Sequence, residues 1–266
     1  TPERWEMLKA NWAAYQSMGI ETSRLVTPEE IGELCPIVSL EGVVGGLFDA
    51  NEGHLDPYGA THAFAGAARK RGADVILRNR VIELNQRVDG SWDVVTEKGT
   101  IHAEHVVNCG GLWAKQVGLM AGVDLPVTPL EHHYLITETI PEIKERGNGT
   151  RLPVGTDFDG NIYFRQEGHG MLLGTYEPKS TPWQVNGTPM NFGHELLEPK
   201  LENIQDRLAI GFKRMPALER AGIKNIVNGP FTFGPDGSPL IGPVPGMKNY
   251  WVAVGVMAGF CQGGGV

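Results

Sequence analysis

At 266 residues, 41% of them hydrophobic and 20% charged, the chain has a globular composition and is long enough for one large domain or two interlocked smaller ones. Its net charge of -8 argues against a basic face for nucleic acid or an anionic membrane, and no apolar run approaches the roughly 18 residues that span a bilayer. Three widely spaced cysteines without a CxxC pair indicate neither a disulfide framework nor a zinc knuckle, and point to a reducing, intracellular, soluble setting.

Trp5, Leu8, Trp12, Tyr15 and Met18 recur at three-to-four spacing, which predicts an amphipathic helix over residues 1–18. Thr27-Pro28-Glu29-Glu30 is a helix start, with Thr as N-cap, Pro at the first helical position and Glu30 completing a capping box, and Pro36 ends that helix. Asp56-Pro57 repeats the signal for a helix whose alanine and glycine face suits close approach to a sheet, with Gly72 as its C-cap. Five short strand-like runs follow, ADVIL, RVIEL, SWDVVTE, GTIHA and HVVN, punctuated by Gly90 and Gly99.

From about 125 the texture becomes antiparallel. HHYLITE is one strand, and NIYFRQ and MLLGTY form a hairpin through Glu167-Gly168-His169-Gly170, a turn of residues that tolerate positive φ. Residues 199–214 read as a further amphipathic helix that stops before Pro216, after which strands return in NIVNGPFTF, SPLIGP and NYWVAVG. There is no internal repeat and no low-complexity linker, so the two textures are expected to be interwoven.

Four constellations can carry chemistry, and each has a plain structural alternative. HVVNCGGLWAKQVG runs from a strand through Gly110-Gly111 into a helix, either a seat for phosphate or ribose at a helix N-terminus or a simple strand-to-helix turn. Pro235-Asp236-Gly237 is a turn signal. In EHHYLITE, His132 and Tyr134 share one face, and His133 points to the other. The His132–Tyr134 pair either orients an amine and exchanges a proton with it or packs at a sheet surface. Arg165 alternates onto the face of Tyr163, where its fork suits a carboxylate or remains at the surface. HExxH, GxSxG, EF-hand, GxGxxG and GxxxxGK[ST] patterns are all absent, so neither a metal site nor a phosphate loop is predicted.

In this order, GHLDPYGATHAFAGAARKRGADV, VNCGGLWAKQVG, the HHY strand, NGTPMNFGHELLE, NGPFTFGPDGSPLIGP and NYWVAVG resemble the D-amino-acid-oxidase-like FAD oxidoreductases, and within them the dimethylglycine and sarcosine dehydrogenase group. The resemblance implies a mixed α/β fold. A partial FAD-binding Rossmann-like domain over 53–124 and 236–266 would interleave with an antiparallel substrate domain over 1–52 and 125–235. By similarity, Val81 lies at the adenine, the Cys109-Gly110-Gly111 turn and Trp113 line the FAD site, and Gly255, Val256, Met257, Ala258, Gly259, Phe260 and Cys261 lie beside the isoalloxazine ring. Backbone N–H groups there would meet the negative charge of a reduced flavin.

Tyr134 matches a tyrosine near the flavin in that family and is a catalytic candidate together with His102, and the strand-face reading adds His132 and Arg165 to Tyr134 as candidate substrate contacts. The implied reaction moves a hydride equivalent from an N-methyl carbon of dimethylglycine or sarcosine to FAD. The resulting iminium is hydrolysed or captured by tetrahydrofolate in a region outside this chain, and an electron-transfer flavoprotein or oxygen takes the electrons. The chain is expected to be a fragment that lacks the family's first βαβ unit, from a bacterial cytoplasm or a mitochondrial matrix. Another amine or amino-acid oxidase of the superfamily, or a non-catalytic subunit of an amine-oxidising complex, is the alternative.

Overall fold

The computed structural model describes residues 1–147, 149 and 151–266. The chain divides into two compact units that exchange segments. Unit 1 comprises 1–54, 132–180 and 197–229, and unit 2 comprises 55–131, 181–196 and 230–266. The expected interweaving is therefore present. Residues 125–131, 181–196 and 230–235, grouped above with the substrate domain, fall in unit 2.

The chain begins with α1 (Pro2–Ser17), β1 (Ser23–Val26), α2 (Pro28–Leu34) and β2 (Gly46–Asp49). Trp5, Leu8, Trp12 and Tyr15 of α1 are half-buried as their spacing predicts, and Trp12 donates its indole N–H to the Ser23 carbonyl at 3.2 Å. Met18 falls just past the helix and is exposed. α2 begins with the predicted capping box: the Thr27 hydroxyl accepts the Glu30 N–H at 3.3 Å, and the Glu30 carboxylate accepts the Thr27 N–H at 2.8 Å. Replacing Thr27 by alanine removes one of these bonds and is expected to cost about 1 kcal/mol. It should lower the urea midpoint without changing the slope of the transition.

Unit 2 then contributes α3 (Pro57–Lys70), β3 (Val81–Gln86), β4 (Trp92–Thr96), β5 (Gly99–Ala103), β6 (Val106–Asn108) and α4 (Ala114–Met120). The Asp56 carboxylate caps α3 by accepting the Gly59 N–H at 2.7 Å, but the helix buries no residue fully, and Tyr58 and Phe64 are 74% and 73% exposed. β3, β4 and β5 form the predicted antiparallel meander. ADVIL (73–77) does not become a strand. It pairs with no neighbour among the described residues, and Ile76 and Leu77 are exposed. β-propensity alone does not make a strand without a ladder to join.

β7 (Thr128–Thr137) crosses into unit 1 and is followed by α5 (Pro141–Glu145), β8 (Gly155–Asp157), β9 (Ile162–Glu167), β10 (Gly170–Thr175), α6 (Leu201–Arg214), α7 (Ala217–Arg220) and β11 (Ile223–Phe233). Their strands make one sheet in the order β11-β7-β10-β9-β8, and all six residues of the central β10 are buried. The β9–β10 hairpin turns at Gly168, whose φ of 58° suits glycine. Ile204 and Leu208 on one face of α6 pack into a core with Leu135, Ile162 and Leu173. Burying such side chains contributes roughly 1.5–3 kcal/mol each.

The chain ends in unit 2 with β12 (Leu240–Pro243), β13 (Tyr250–Val254) and α8 (Gly259–Gln262). β12 pairs antiparallel with β13, which pairs parallel with β6. Trp92 and Tyr250, fully buried with ring centroids 5.5 Å apart, anchor the core of this unit. Asp236 and Gly237 form the predicted turn: the Asp236 side chain accepts the Ser238 N–H at 2.9 Å, and Gly237 takes a φ of 77°.

Candidate active site

Burial alternates strictly along β7. His132, Tyr134 and Ile136 lie on its half-buried face, and His133, Leu135 and Thr137 lie on the fully buried one. In the sheet, Tyr134 pairs with Gly174 on β10, which pairs in turn with Tyr163 on β9. Gly174 leaves the space that the Tyr163 ring fills, since a Cβ built there would sit 1.9 Å from the ring. Three strands thus place His132, Tyr134, Tyr163 and Arg165 on one face. The Tyr176 ring lies 5.8 Å from His132 and 5.2 Å from Tyr163.

The polar partners form a continuous chain. Tyr163 Oη is 3.3 Å from His132 Nε2, and His132 Nδ1 is 3.0 Å from Glu177 Oε2. The other oxygen of Glu177 meets His133 Nδ1 at 3.0 Å and accepts the His133 backbone N–H at 2.9 Å. Two neighbouring histidines that point to opposite faces therefore share one carboxylate. This is possible because β10 ends at Thr175, so Glu177 lies beyond the ladder and reaches both sides of β7.

Burial by itself would raise the Glu177 pKa, but the hydrogen bonds from His132 and His133 and the charge of His132 outweigh it and hold the carboxyl down at about 2. Glu177 is therefore ionised at any ordinary pH. Burial, with Tyr176, Glu177 and Tyr134 nearby, pushes the Tyr163 phenol far above its ordinary range, and burial also raises Tyr176. Both hydroxyls keep their protons. Arg165, on the same face, is bonded to Glu167.

Unit 2 presents a second constellation. β6 and β13 run parallel, with Val252 beside Asn108, so their carboxyl ends open side by side into Cys109-Gly110-Gly111 and into Gly255 through Cys261. The carboxyl end of a parallel pair is where α/β sheets take ligands, because the turns there expose backbone unencumbered by side chains. Asn108 is 2% exposed and shapes the first turn. Its Oδ1 accepts the Gly110 N–H at 2.9 Å, and its Nδ2 donates to the Ala114 carbonyl at 2.9 Å and to Tyr250 Oη at 3.2 Å. Gly111 takes a φ of 55° and Gly255 a φ of 69°.

Trp113 donates its indole N–H to the Pro189 carbonyl at 3.1 Å, and Cys109 and Cys261 are exposed thiols. Met257 and Phe260 are also exposed, and Val81 opens β3 in the meander. Glycine-rich backbone at two adjacent strand ends, with an indole beside it, suits a flat aromatic cofactor with a polyphosphate tail.

His102, the second catalytic candidate, lies on β5 in unit 2 with a 67% exposed side chain bonded to Asp93 at 2.5 Å, and it is not part of the His132 cluster. Tyr163, Tyr176 and Glu177 are the cluster members that motif reading did not single out. Period-two alternation along NIYFRQ marks Tyr163, whereas nothing local marks Glu177. Unit 1 also holds a cavity of about 410 Å³ lined by Trp5, Ser23, Cys35, Phe48, Phe164 and Arg214. It contains none of the cluster. Among the described residues no group of three or more His, Cys, Asp or Glu side chains is placed to hold a metal ion, and no helix is long and apolar enough to cross a membrane.

Over residues 1–266 the chain matches the family model described as FAD dependent oxidoreductase. It is 41% identical to mitochondrial dimethylglycine dehydrogenase of Mus musculus over 99% of this chain and 30% of that protein. It is 33% identical to mitochondrial sarcosine dehydrogenase of the same organism, over 94% of this chain and 27% of that protein. The chain thus spans about a third of the relatives it matches. The crystal structure of L-proline dehydrogenase from P. horikoshii superposes with a TM-score of 0.79 at 26% identity, covering 98% of this chain and 66% of that one. A parallel strand pair opening into glycine turns, interleaved with an antiparallel sheet, and a match over the whole chain have one reading: the protein belongs to the DAO family of FAD dependent oxidoreductases.

Proposed function

We propose that the full-length protein oxidises the N-methyl C–N bond of dimethylglycine or sarcosine. The observation that supports this most is the Tyr163–His132–Glu177 chain on an aromatic sheet face, within a chain 41% identical to a dimethylglycine dehydrogenase. In this reading Cys109, Gly110, Gly111, Trp113, Val81 and the run from Gly255 to Cys261 hold FAD, which when bound accepts the hydride equivalent from the substrate carbon.

The remaining work falls to the side chains on the sheet face. An N-methylated amino acid is an ammonium zwitterion at neutral pH, and its nitrogen must be neutral before the methyl C–H can give up a hydride. His132 takes that proton, directly or through the Tyr163 hydroxyl, and the ionised Glu177 balances the imidazolium that forms. Tyr134 and Tyr176 orient the amine through their rings, a favourable environment for an alkylated ammonium. Arg165 exchanges Glu167 for the substrate carboxylate. His102, exposed and bonded to Asp93, has no step here. The iminium left behind is hydrolysed, or passed to tetrahydrofolate elsewhere in the full-length protein, and an electron-transfer flavoprotein or oxygen completes the cycle.

The test is spectroscopic. Full-length protein carrying flavin is mixed anaerobically with dimethylglycine or with sarcosine, and the flavin absorbance is expected to bleach. Flavin that stays fully coloured with both amines would overturn the proposal. Reoxidation by air, compared with reoxidation by an electron-transfer flavoprotein, then identifies the acceptor.

A further inference from the structure

The hydrogen-bond roles around Glu177 can be assigned without ambiguity. An ionised carboxylate only accepts, so both His132 Nδ1 and His133 Nδ1 must carry hydrogen. His133 Nε2 lies 3.3 Å from the backbone N–H of Lys200, which only donates, so that nitrogen carries no hydrogen and His133 is neutral. His132 Nε2 faces a hydroxyl instead, and a hydroxyl can either donate or accept. Of the two rings, only that of His132 can therefore gain and lose a proton without breaking a bond. Burial agrees: the side chains of His133 and Glu177 are 1% and 2% exposed, and that of His132 is 20% exposed.

We propose that Glu177 is a positioning residue that locks His132 in its Nδ1–H form, so that the Nε2 lone pair faces Tyr163 and the sheet face. The proposal rests, for the reaction it serves, on the function proposed above. The proton balance is simple. The substrate N–H bond breaks, an N–H bond forms at His132 Nε2, and the imidazolium–carboxylate pair stays neutral until the proton passes to solvent. The titratable groups near this pair include Tyr134 and His133 on β7, Tyr163 and Arg165 on β9, and Tyr176 beyond β10. Arg165 is bonded to Glu167, and burial keeps the protons on Tyr163 and Tyr176, so the proton acceptance argued here falls to His132 Nε2.

Glu177→Gln tests this because the two carboxylate oxygens are not equivalent. Oε1 accepts from three donors, the His133 N–H, His133 Nδ1 and the Thr175 hydroxyl, whereas Oε2 meets His132 Nδ1. The amide oxygen of the glutamine must take the Oε1 place, and its NH2 then points at His132 Nδ1. That nitrogen becomes an acceptor, and the hydrogen of His132 moves to Nε2, removing the lone pair the reaction needs. A merely structural role would lower stability without choosing a tautomer.

In the full-length protein, 15N spectra of the imidazole nitrogens, assigned with His132→Gln, are expected to show His132 protonated at Nδ1 in the wild type and at Nε2 in Glu177→Gln, with His133 unchanged. Flavin reduction by dimethylglycine should slow by on the order of 10²–10⁴-fold at unchanged flavin content and substrate Kd, the range for losing an oriented general base. An unchanged His132 tautomer, or an unchanged reduction rate, overturns the proposal. If Glu177→Gln does not fold, Glu177→Asp keeps an acceptor and should retain the Nδ1–H form, and Nε2–H in that variant is equally fatal. The tautomer is read without substrate. A wild-type protein whose flavin no N-methyl amino acid bleaches would therefore sink the proposed function and leave the assignment of Glu177 to be decided by the spectra.

Discussion

Gly174→Ala is expected to slow flavin reduction by about 10²-fold and to destabilise the protein by about 1–3 kcal/mol, although it adds only a methyl group. The new Cβ would lie 1.9 Å from Tyr163 Cζ, 2.2 Å from Cε1 and 2.4 Å from Cε2, so the ring cannot stay where it is. Moving it breaks the 3.3 Å contact of Tyr163 Oη with His132 Nε2 and separates it from the Tyr176 ring. For the proton transfer proposed at this contact, a displacement of this size matches the loss that a misplacement of about 1 Å produces.

The cause can be isolated with a double-mutant cycle. In a Tyr163→Ala background no ring occupies the space over Gly174, so Gly174→Ala should cost close to nothing there. The two single changes should be non-additive by about the full cost of the clash. Additive losses, measured by urea unfolding of the four proteins, would show that Gly174 matters for some other reason, such as backbone freedom in β10.

Local signals made much of this legible in advance. The Thr27 and Asp56 caps, the α6 stripe of Ile204 and Leu208, the Gly168 hairpin and the shared face of His132 and Tyr134 are each encoded within about ten residues, by capping chemistry or by periodicity. Features that depend on distant pairing were not legible. ADVIL has strand composition but no ladder, and the parallel contact of β6 with β13 joins residues far apart in sequence. Glu177 is the sharpest case. Its role depends on β10 stopping at Thr175 beside β7, so that one carboxylate reaches two faces, and no spacing rule encodes where a neighbouring strand ends. The opposite facing of His132 and His133 was legible from strand alternation, whereas their shared bond to Glu177 was not, because Glu177 lies beyond the ladder.

Asn108→Ala is expected to loosen the turn at the carboxyl end of β6 more than any single change to the turn's own side chains. Its side chain is 2% exposed and makes three bonds, to the Gly110 N–H, the Ala114 carbonyl and the Tyr250 hydroxyl. Truncation takes a side-chain partner from the part-buried Gly110 N–H, the Ala114 carbonyl at the start of α4 and the Tyr250 hydroxyl, and the tyrosine keeps a long 3.5 Å contact with the Val117 carbonyl. At roughly 1–3 kcal/mol for each buried group left unsatisfied, and with relaxation recovering part, the expected loss is about 2–4 kcal/mol. Tyr250→Phe removes one of the three bonds and should cost about 1 kcal/mol. Aspartate is no substitute for Asn108, because it keeps the acceptor for Gly110 but turns an oxygen toward the Ala114 carbonyl. If Cys109-Gly110-Gly111 lines the FAD site, Asn108→Ala should also release flavin on dialysis under conditions in which Tyr250→Phe retains it. A stability loss below about 1 kcal/mol for Asn108→Ala would mean that water replaces its bonds and that the geometry of the turn is set by the Gly111 backbone instead.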